Sequence, residues 1–112
     1  MERKLNIQNT KAVGHRLSLN DENGEEIGHA YLYILTNDLH KQPFGFIEDV
    51  KIEEAHQGSG HGTILLKEIE KVARQFSCYK IVACSRTSRT SVHEFYKRLG
   101  FSERGKEFRK DL

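Results

Sequence analysis

Three glycines at alternate positions, Gly58, Gly60 and Gly62, constrain this chain more than any other feature. They lie between an extended apolar stretch that ends at Ile52 and a helical pattern that begins at Ile64. Because glycine has no Cβ atom, the backbone of such a loop can take unusual dihedral angles and approach a ligand closely. The following helix directs its free N–H groups and its positive dipole end toward the same place. The sequence therefore predicts an anion site, typically a phosphate site, at this loop.

Two familiar glycine-loop patterns do not match. A P-loop has a lysine before its final Ser or Thr, and here Gly62 precedes Thr63. The dinucleotide fingerprint needs a glycine where Thr63 stands, and the chain before the loop lacks a first βαβ unit. A glycine-rich turn that merely closes a strand-to-helix connection is the alternative for the loop taken by itself.

Length and composition predict one domain, residues 1–112, around a single hydrophobic core. No apolar run is long enough to span a bilayer or to act as a signal sequence, which favours a cytoplasmic protein. The net charge of +2 gives no global reason to expect a nucleic-acid or membrane partner, although basic residues gather in the last third. The two cysteines and six histidines lack metal-ligand spacing, so no metal site is predicted.

Turn residues and hydrophobic periodicity predict the elements before the loop. Asn23-Gly24 between extended segments indicates an antiparallel hairpin with arms at 15–20 and 26–36. The second arm is almost continuously apolar, which is typical of a central strand covered on both faces. After a polar turn, residues 44–52 form the next predicted strand.

The elements after the loop follow from the same signals. The helix from Ile64 has an apolar stripe at positions 65, 69, 72 and 76, and a short strand follows at 79–84. Ser91 and Glu94 have the spacing of a capping box, which opens a second helix that Gly100 ends. Residues 101–112 are expected to add a strand or hairpin. The order predicts a three-layer α/β fold with a mixed, mostly antiparallel sheet and two main helices.

Four segments in this order resemble consecutive motifs of the GCN5-related N-acetyltransferase (GNAT) superfamily. They are Phe46 to Ile52, Gln57 to Gly62 with its Q-x-x-G-x-G pattern, Ser77 to Ile81, and Phe95 to Phe101. Within the superfamily the chain is similar to the glucosamine-6-phosphate N-acetyltransferase branch and its small relatives, and the match covers about residues 44 to 102. The resemblance implies transfer of an acetyl group from acetyl-CoA to a primary amine of a small molecule, such as an amino sugar or amino-acid-like compound, or of a peptide.

The resemblance also implies which residues bind acetyl-CoA. Backbone amides of the loop would hold the CoA pyrophosphate, at Gln57, Gly58, Ser59, Gly60, His61, Gly62 and Thr63. The pantetheine arm would run along the preceding strand from Val50 to Ile52, as an added strand does, with the Val50 amide as the oxyanion donor.

Two residues are predicted to be catalytic. Glu48 and Asp49 are adjacent on a strand and should point to opposite faces, so at most one faces a given cleft. We favour Glu48 as the general base, because neighbouring apolar residues should desolvate it and the family resemblance agrees. The alternative is that Glu48 and Asp49 are both structural carboxylates of the strand. Tyr96 is the candidate acid for the departing thiolate, with a packed core aromatic as its alternative.

The chain departs from the family pattern in two respects. The N-terminal helices that usually wall the acceptor site are missing or shortened, so the pocket is either open or completed by a second subunit. An exposed late strand at 107–112 would also favour a homodimer. Arg89 stands where members commonly carry an Asn that contacts pantetheine, and that contact is not assigned here. A non-catalytic acyl-CoA-binding or regulatory module on the same fold is the alternative function.

Overall fold

The computed structural model describes all 112 residues. Its elements are β1 (Ala12–Asn20), β2 (Glu26–Leu35), β3 (Phe44–Ile52), a 3-10 helix (Glu54–His56), α1 (His61–Gln75), β4 (Ile81–Ala83) and α2 (Thr90–Arg98). The strands form one sheet in the order β1-β2-β3-β4, and β2 pairs antiparallel with both β1 and β3. The chain forms two compact units, residues 1–82 and 83–112, and the single domain stays a prediction. None of its helices has the length and apolar character needed to cross a membrane.

The predicted hairpin is confirmed, and its turn is stabilised by Asp21. The carboxylate Oδ1 of Asp21 accepts hydrogen bonds from the amides of Asn23 at 2.9 Å and Glu25 at 3.0 Å. Gly24 has a φ of +80°, a backbone conformation that glycine adopts without steric cost. The Asn-Gly signal in the sequence therefore reports a real local preference.

One face of the sheet packs against α1 and forms the core. The buried apolar side chains are Ile27, Ala30, Leu32, Ile34, Ile47, Leu65, Leu66, Ile69 and Ala73. On α1, burial of Leu65 and Ile69 agrees with the predicted stripe, whereas Phe76 at its end is 41% exposed. Because Leu66 and Ala73 complete the buried face, the stripe is displaced from the one expected at 72 and 76.

The other face of β2 is not fully covered, so the expectation of burial on both faces is wrong. Tyr31 is half-buried and Tyr33 is 37% exposed. Their rings stack with centroids 6.1 Å apart and an interplanar angle of 12°. A tyrosine places an apolar ring on a sheet while its hydroxyl reaches solvent, so an apolar-looking run can still alternate between two faces.

Both helix starts differ from the sequence-based expectation. α1 begins at His61 and not at Ile64, so the end of the glycine loop lies in the first helical turn. α2 has Arg89 as its N-cap and no side-chain capping bond, so the predicted capping box of Ser91 and Glu94 is wrong. Ser91 lies inside the helix, two positions after the N-cap, where its hydroxyl cannot cap the first turn.

The end of α2 is as predicted. Gly100 has a φ of +92°, and its amide donates to the carbonyl of Lys97 at 3.0 Å. The Phe101 amide donates to the carbonyl of Tyr96, also at 3.0 Å. These two bonds form a Schellman motif, which satisfies the last carbonyls of a helix.

The two ends of the chain carry no regular element. No helix is present in the eleven residues before β1. The strand or hairpin predicted over residues 101–112 is wrong, because this segment has no secondary structure and is almost entirely exposed. Phe108 is its one apolar residue between Phe101 and Leu112, too few to hold a strand against a core. The expected homodimer therefore loses its edge-strand argument.

Candidate active site

β3 carries a bulge next to the predicted base. The register pairs on either side are Tyr31 with Glu48 and His29 with Lys51. Two β3 residues, Asp49 and Val50, therefore lie opposite the single β2 residue Ala30. Asp49 has a φ of +52°, in the left-handed region that residues with a Cβ rarely adopt. Such a bulge interrupts the ladder and bends the strand, so Val50 lies where β3 leaves its regular pairing with β2.

The bulge changes the environment of Glu48. Its side chain and that of Asp49 are both exposed, although strict alternation would have placed them on opposite faces. The expected desolvation of Glu48 by its apolar neighbours is therefore wrong. Glu48 lies opposite Tyr31 in the register, and its exposed carboxylate is open to an acceptor amine or to a bridging water.

The glycine loop has the backbone geometry that its sequence predicts. Gly58 and Gly60 have φ values of +79° and +83°, and Gly60 is the N-cap of α1. The first bond of the helix runs from the Ile64 amide to the Gly60 carbonyl, at 3.2 Å. No side chain caps this end, and its first turn contains no acidic residue. Three amides of the first turn have no hydrogen-bond acceptor within the helix: those of His61, Gly62 and Thr63.

Gln57 joins the end of β3 to the start of the loop. Its side-chain Nε2 donates a hydrogen bond to the carbonyl oxygen of Ile52 at 2.9 Å. The Ile52 side chain in turn lies against Gly28 on β2, where an added Cβ would come within 2.6 Å of the Ile52 Cδ1 atom. Ser59 lies exposed between the two left-handed glycines. The loop is thus tied to the strand along which pantetheine is predicted to lie.

Tyr96 belongs to the second unit, residues 83–112. Its ring contacts those of Phe95 and Phe101, with centroid distances of 5.6 and 5.1 Å. Burial raises the pKa of the Tyr96 phenol above its ordinary value, while the positive charge of Arg89 acts in the opposite direction. Arg89, which stands where the family commonly has an Asn, therefore acts electrostatically on Tyr96, the predicted acid.

The predicted site residues fall in two parts of the molecule. Glu48, Val50, Ile52 and the loop through Thr63 belong to one continuous stretch of the first unit, and Tyr96 belongs to the second. Sequence reasoning missed His29, whose Nε2 lies 3.0 Å from Asp49 Oδ2. The preference of Asp for left-handed backbone was a weak signal for the bulge. No group of three or more His, Cys, Asp or Glu side chains is placed to hold a metal ion.

Comparison with known proteins identifies the family of the chain. The profile described as "Acetyltransferase (GNAT) family" matches residues 3–101. An aminoglycoside N(6′)-acetyltransferase type 1 from Acinetobacter haemolyticus is 33% identical over 67 residues, which are 60% of this chain and 46% of the relative. A glucosamine 6-phosphate N-acetyltransferase from Trypanosoma brucei brucei is 35% identical over 68 residues, which are 61% of this chain and 44% of the relative. The aligned chain thus spans less than half the length of either curated relative.

A solved structure matches most of the fold. The crystal structure of an acetyltransferase from Trypanosoma brucei superposes with a TM-score of 0.77 and 28% identity, covering 88% of this chain and 69% of that one. This agreement confirms the predicted mixed α/β fold, and the profile match covers far more than half of the sequence. The chain therefore belongs to the acetyltransferase (GNAT) family.

Proposed function

We propose that the chain transfers the acetyl group of acetyl-CoA to the primary amine of a small molecule. An amino sugar is the first acceptor to test, because two relatives are named for aminoglycoside and glucosamine 6-phosphate substrates. A peptide amine is the second acceptor to test.

The start of α1 carries the proposal. α1 has 15 residues, its N-terminus has no side-chain cap, and two left-handed glycines precede it. Such a helix start offers several N–H donors and the positive end of the helix dipole to a pyrophosphate. Neither a carboxylate nor a side-chain oxygen of the chain competes for these donors. The residues that would hold the pyrophosphate are Gln57, Gly58, Ser59, Gly60, His61, Gly62 and Thr63, and this geometry fits an anionic ligand.

β3 would hold the rest of acetyl-CoA. Pantetheine would lie along Val50 to Ile52, and the Val50 amide would donate to the carbonyl oxygen on which negative charge develops. When bound, acetyl-CoA supplies the acetyl group as a reactive thioester. Glu48 would accept the proton of the attacking amine, directly or through water, and Tyr96 would donate its phenolic proton to the departing sulfur.

A binding module without turnover is the second candidate. The exposure of Glu48 favours it, because a solvated carboxylate is less suited to remove a proton from an amine than a desolvated one. The homodimer also stays a proposal, and no late strand supports it.

Release of CoA thiol from acetyl-CoA tests the proposal. The full chain is incubated with acetyl-CoA and, separately, with glucosamine 6-phosphate, an aminoglycoside and a short peptide, and free thiol is read with a thiol reagent. Amine-dependent release that falls in Glu48→Gln supports the transferase. Acetyl-CoA binding by calorimetry without release for any amine would support the binding module instead.

A further inference from the structure

The side chain of His29 on β2 reaches the bulge of β3. Its Nε2 lies 3.0 Å from Asp49 Oδ2, and the His29 side chain is 14% exposed against 62% for Asp49. Because a carboxylate has no proton to give, Nε2–H is the donor of this bond. The bond therefore ties a half-buried ring on the central strand to the one residue of β3 with a left-handed backbone.

Glu26 and Tyr31 lie on the other sides of the His29 ring. Its Nδ1 lies 3.7 Å from Glu26 Oε2, which is beyond hydrogen-bond distance, and the two groups form an ion pair only when the imidazole is protonated. Glu26 accepts two hydrogen bonds from the Arg16 guanidinium, at 2.6 and 2.9 Å. The rings of His29 and Tyr31 also meet edge to face, with centroids 6.2 Å apart. The Arg16–Glu26 pair and the Tyr31 ring thus surround the imidazole that contacts Asp49.

A residue other than glycine keeps a left-handed backbone conformation only where the surrounding structure stabilises it. Asp tolerates this conformation because its short side chain can hydrogen-bond nearby, and here the partner is His29, twenty residues away. Asp49 precedes Val50, so its dihedral angles set the direction in which the Val50 N–H points. We infer that His29 is a positioning residue that fixes the β3 bulge and thereby orients the Val50 amide. This inference rests on the proposed function, in which that amide binds the thioester oxygen.

The contact should act locally and not on global stability. Asp49 is largely exposed, and exposed ion pairs contribute little to the free energy of unfolding. One hydrogen bond is nevertheless enough to change the population of a two-conformer backbone about tenfold. An amide that is misoriented in part of the molecules weakens binding of the developing oxyanion, so kcat should fall while the KM for acetyl-CoA changes little.

The test compares His29→Phe with the parent. Phe keeps a planar ring beside Tyr31 and removes the N–H donor. We expect kcat to fall about tenfold, the KM for acetyl-CoA to stay within about twofold, and hydrogen exchange of the β2–β3 ladder amides on either side of the bulge to accelerate about tenfold. Asp49→Ala should reproduce these effects, and the double variant should be no worse than either single one. Asp49→Asn, which accepts the same bond and tolerates left-handed backbone, should recover most of kcat.

Arg74→Ala is the matched control. It removes an exposed ion pair on α1, in which Arg74 Nε lies 3.7 Å from Glu70 Oε2, and it should change neither kcat, nor KM, nor amide exchange. If His29→Phe does not fold, Asp49→Ala at the exposed position carries the same test. Parent-like kcat and exchange in folded His29→Phe or Asp49→Ala would overturn the inference. A parent that releases no thiol overturns the proposed function instead, and exchange of the ladder amides beside the bulge then still decides whether His29 fixes the bulge.

Discussion

The side-chain amide of Gln57 donates a hydrogen bond to the carbonyl oxygen of Ile52, 2.9 Å away. The backbone of Gln57 belongs to the loop that is predicted to hold pyrophosphate, and its side-chain Nε2 ties that loop to the end of β3. This gives the residue a supporting role, since the bond sets how the loop leaves the strand.

Gln57→Ala should weaken acetyl-CoA binding about fivefold to tenfold, the effect of losing one hydrogen bond that orders the loop. Because Gln57 is exposed, the melting temperature should change little. Isothermal calorimetry measures the affinity, and Gln75→Ala, at the exposed end of α1, is the control. An affinity equal to that of the parent would show that the loop keeps its geometry without this bond.

Gly62→Val should reduce acetyl-CoA affinity at least tenfold without unfolding the chain. Gly62 is the second residue of α1, where a side chain leans toward the helix N-terminus and so toward the proposed pyrophosphate. Gly60→Val should lower both affinity and stability, because Gly60 has a φ of +83° that Val cannot easily adopt. Gly105→Val, in open space, is the control. Calorimetry showing parent-like affinity in folded Gly62→Val would remove α1 from the proposed site.

Tyr96→Phe should lower turnover by roughly 10²-fold with acetyl-CoA affinity nearly unchanged. Burial raises the pKa of the Tyr96 phenol above 10, so the proton that an acid must donate is present throughout the neutral range. Steady-state kinetics and thermal denaturation are measured on the same sample, with the exposed Tyr79→Phe as control. Turnover within a few-fold of the parent, together with an altered melting temperature, would assign Tyr96 to packing alone.

Glu26→Gln should show a pH-dependent loss of stability. The hydrogen bonds from Arg16 hold the pKa of the Glu26 carboxyl below its ordinary 4.5, so the folded state favours the ionised form. The stabilisation is therefore complete above about pH 4.5 and is lost as the pH falls through the lower folded value. Urea unfolding of parent and variant at pH 7 and about pH 3 gives the two differences in free energy. Equal differences at both pH values would mean that the ion pair has no part in stability.

Much of the fold could be predicted from local signals. Asn23-Gly24 identified the hairpin, Gly58 and Gly60 identified a loop with left-handed backbone, and Gly100 identified the end of α2. In each case a residue with unusual backbone freedom reports the dihedral angles at its own position, whatever surrounds it.

The details of the candidate site were less accessible. The two-residue period that should have separated Glu48 from Asp49 fails at the bulge, which exists because two β3 residues oppose one on β2. The capping box at Ser91 and the strand after Phe101 were also wrong. A side-chain spacing or a short apolar pattern permits these features, and the surrounding structure decides whether they form.

The sequence by itself determined the order of the elements from β1 to α2, the left-handed backbone of the glycine loop and the family, because these follow from residues close together in the chain. Tertiary structure alone decided the register of β2 against β3, the left-handed Asp49 and its contact with His29. The physical reason is that register is chosen by the combined packing and hydrogen bonding of whole strands, and its energy depends on residues about twenty positions apart.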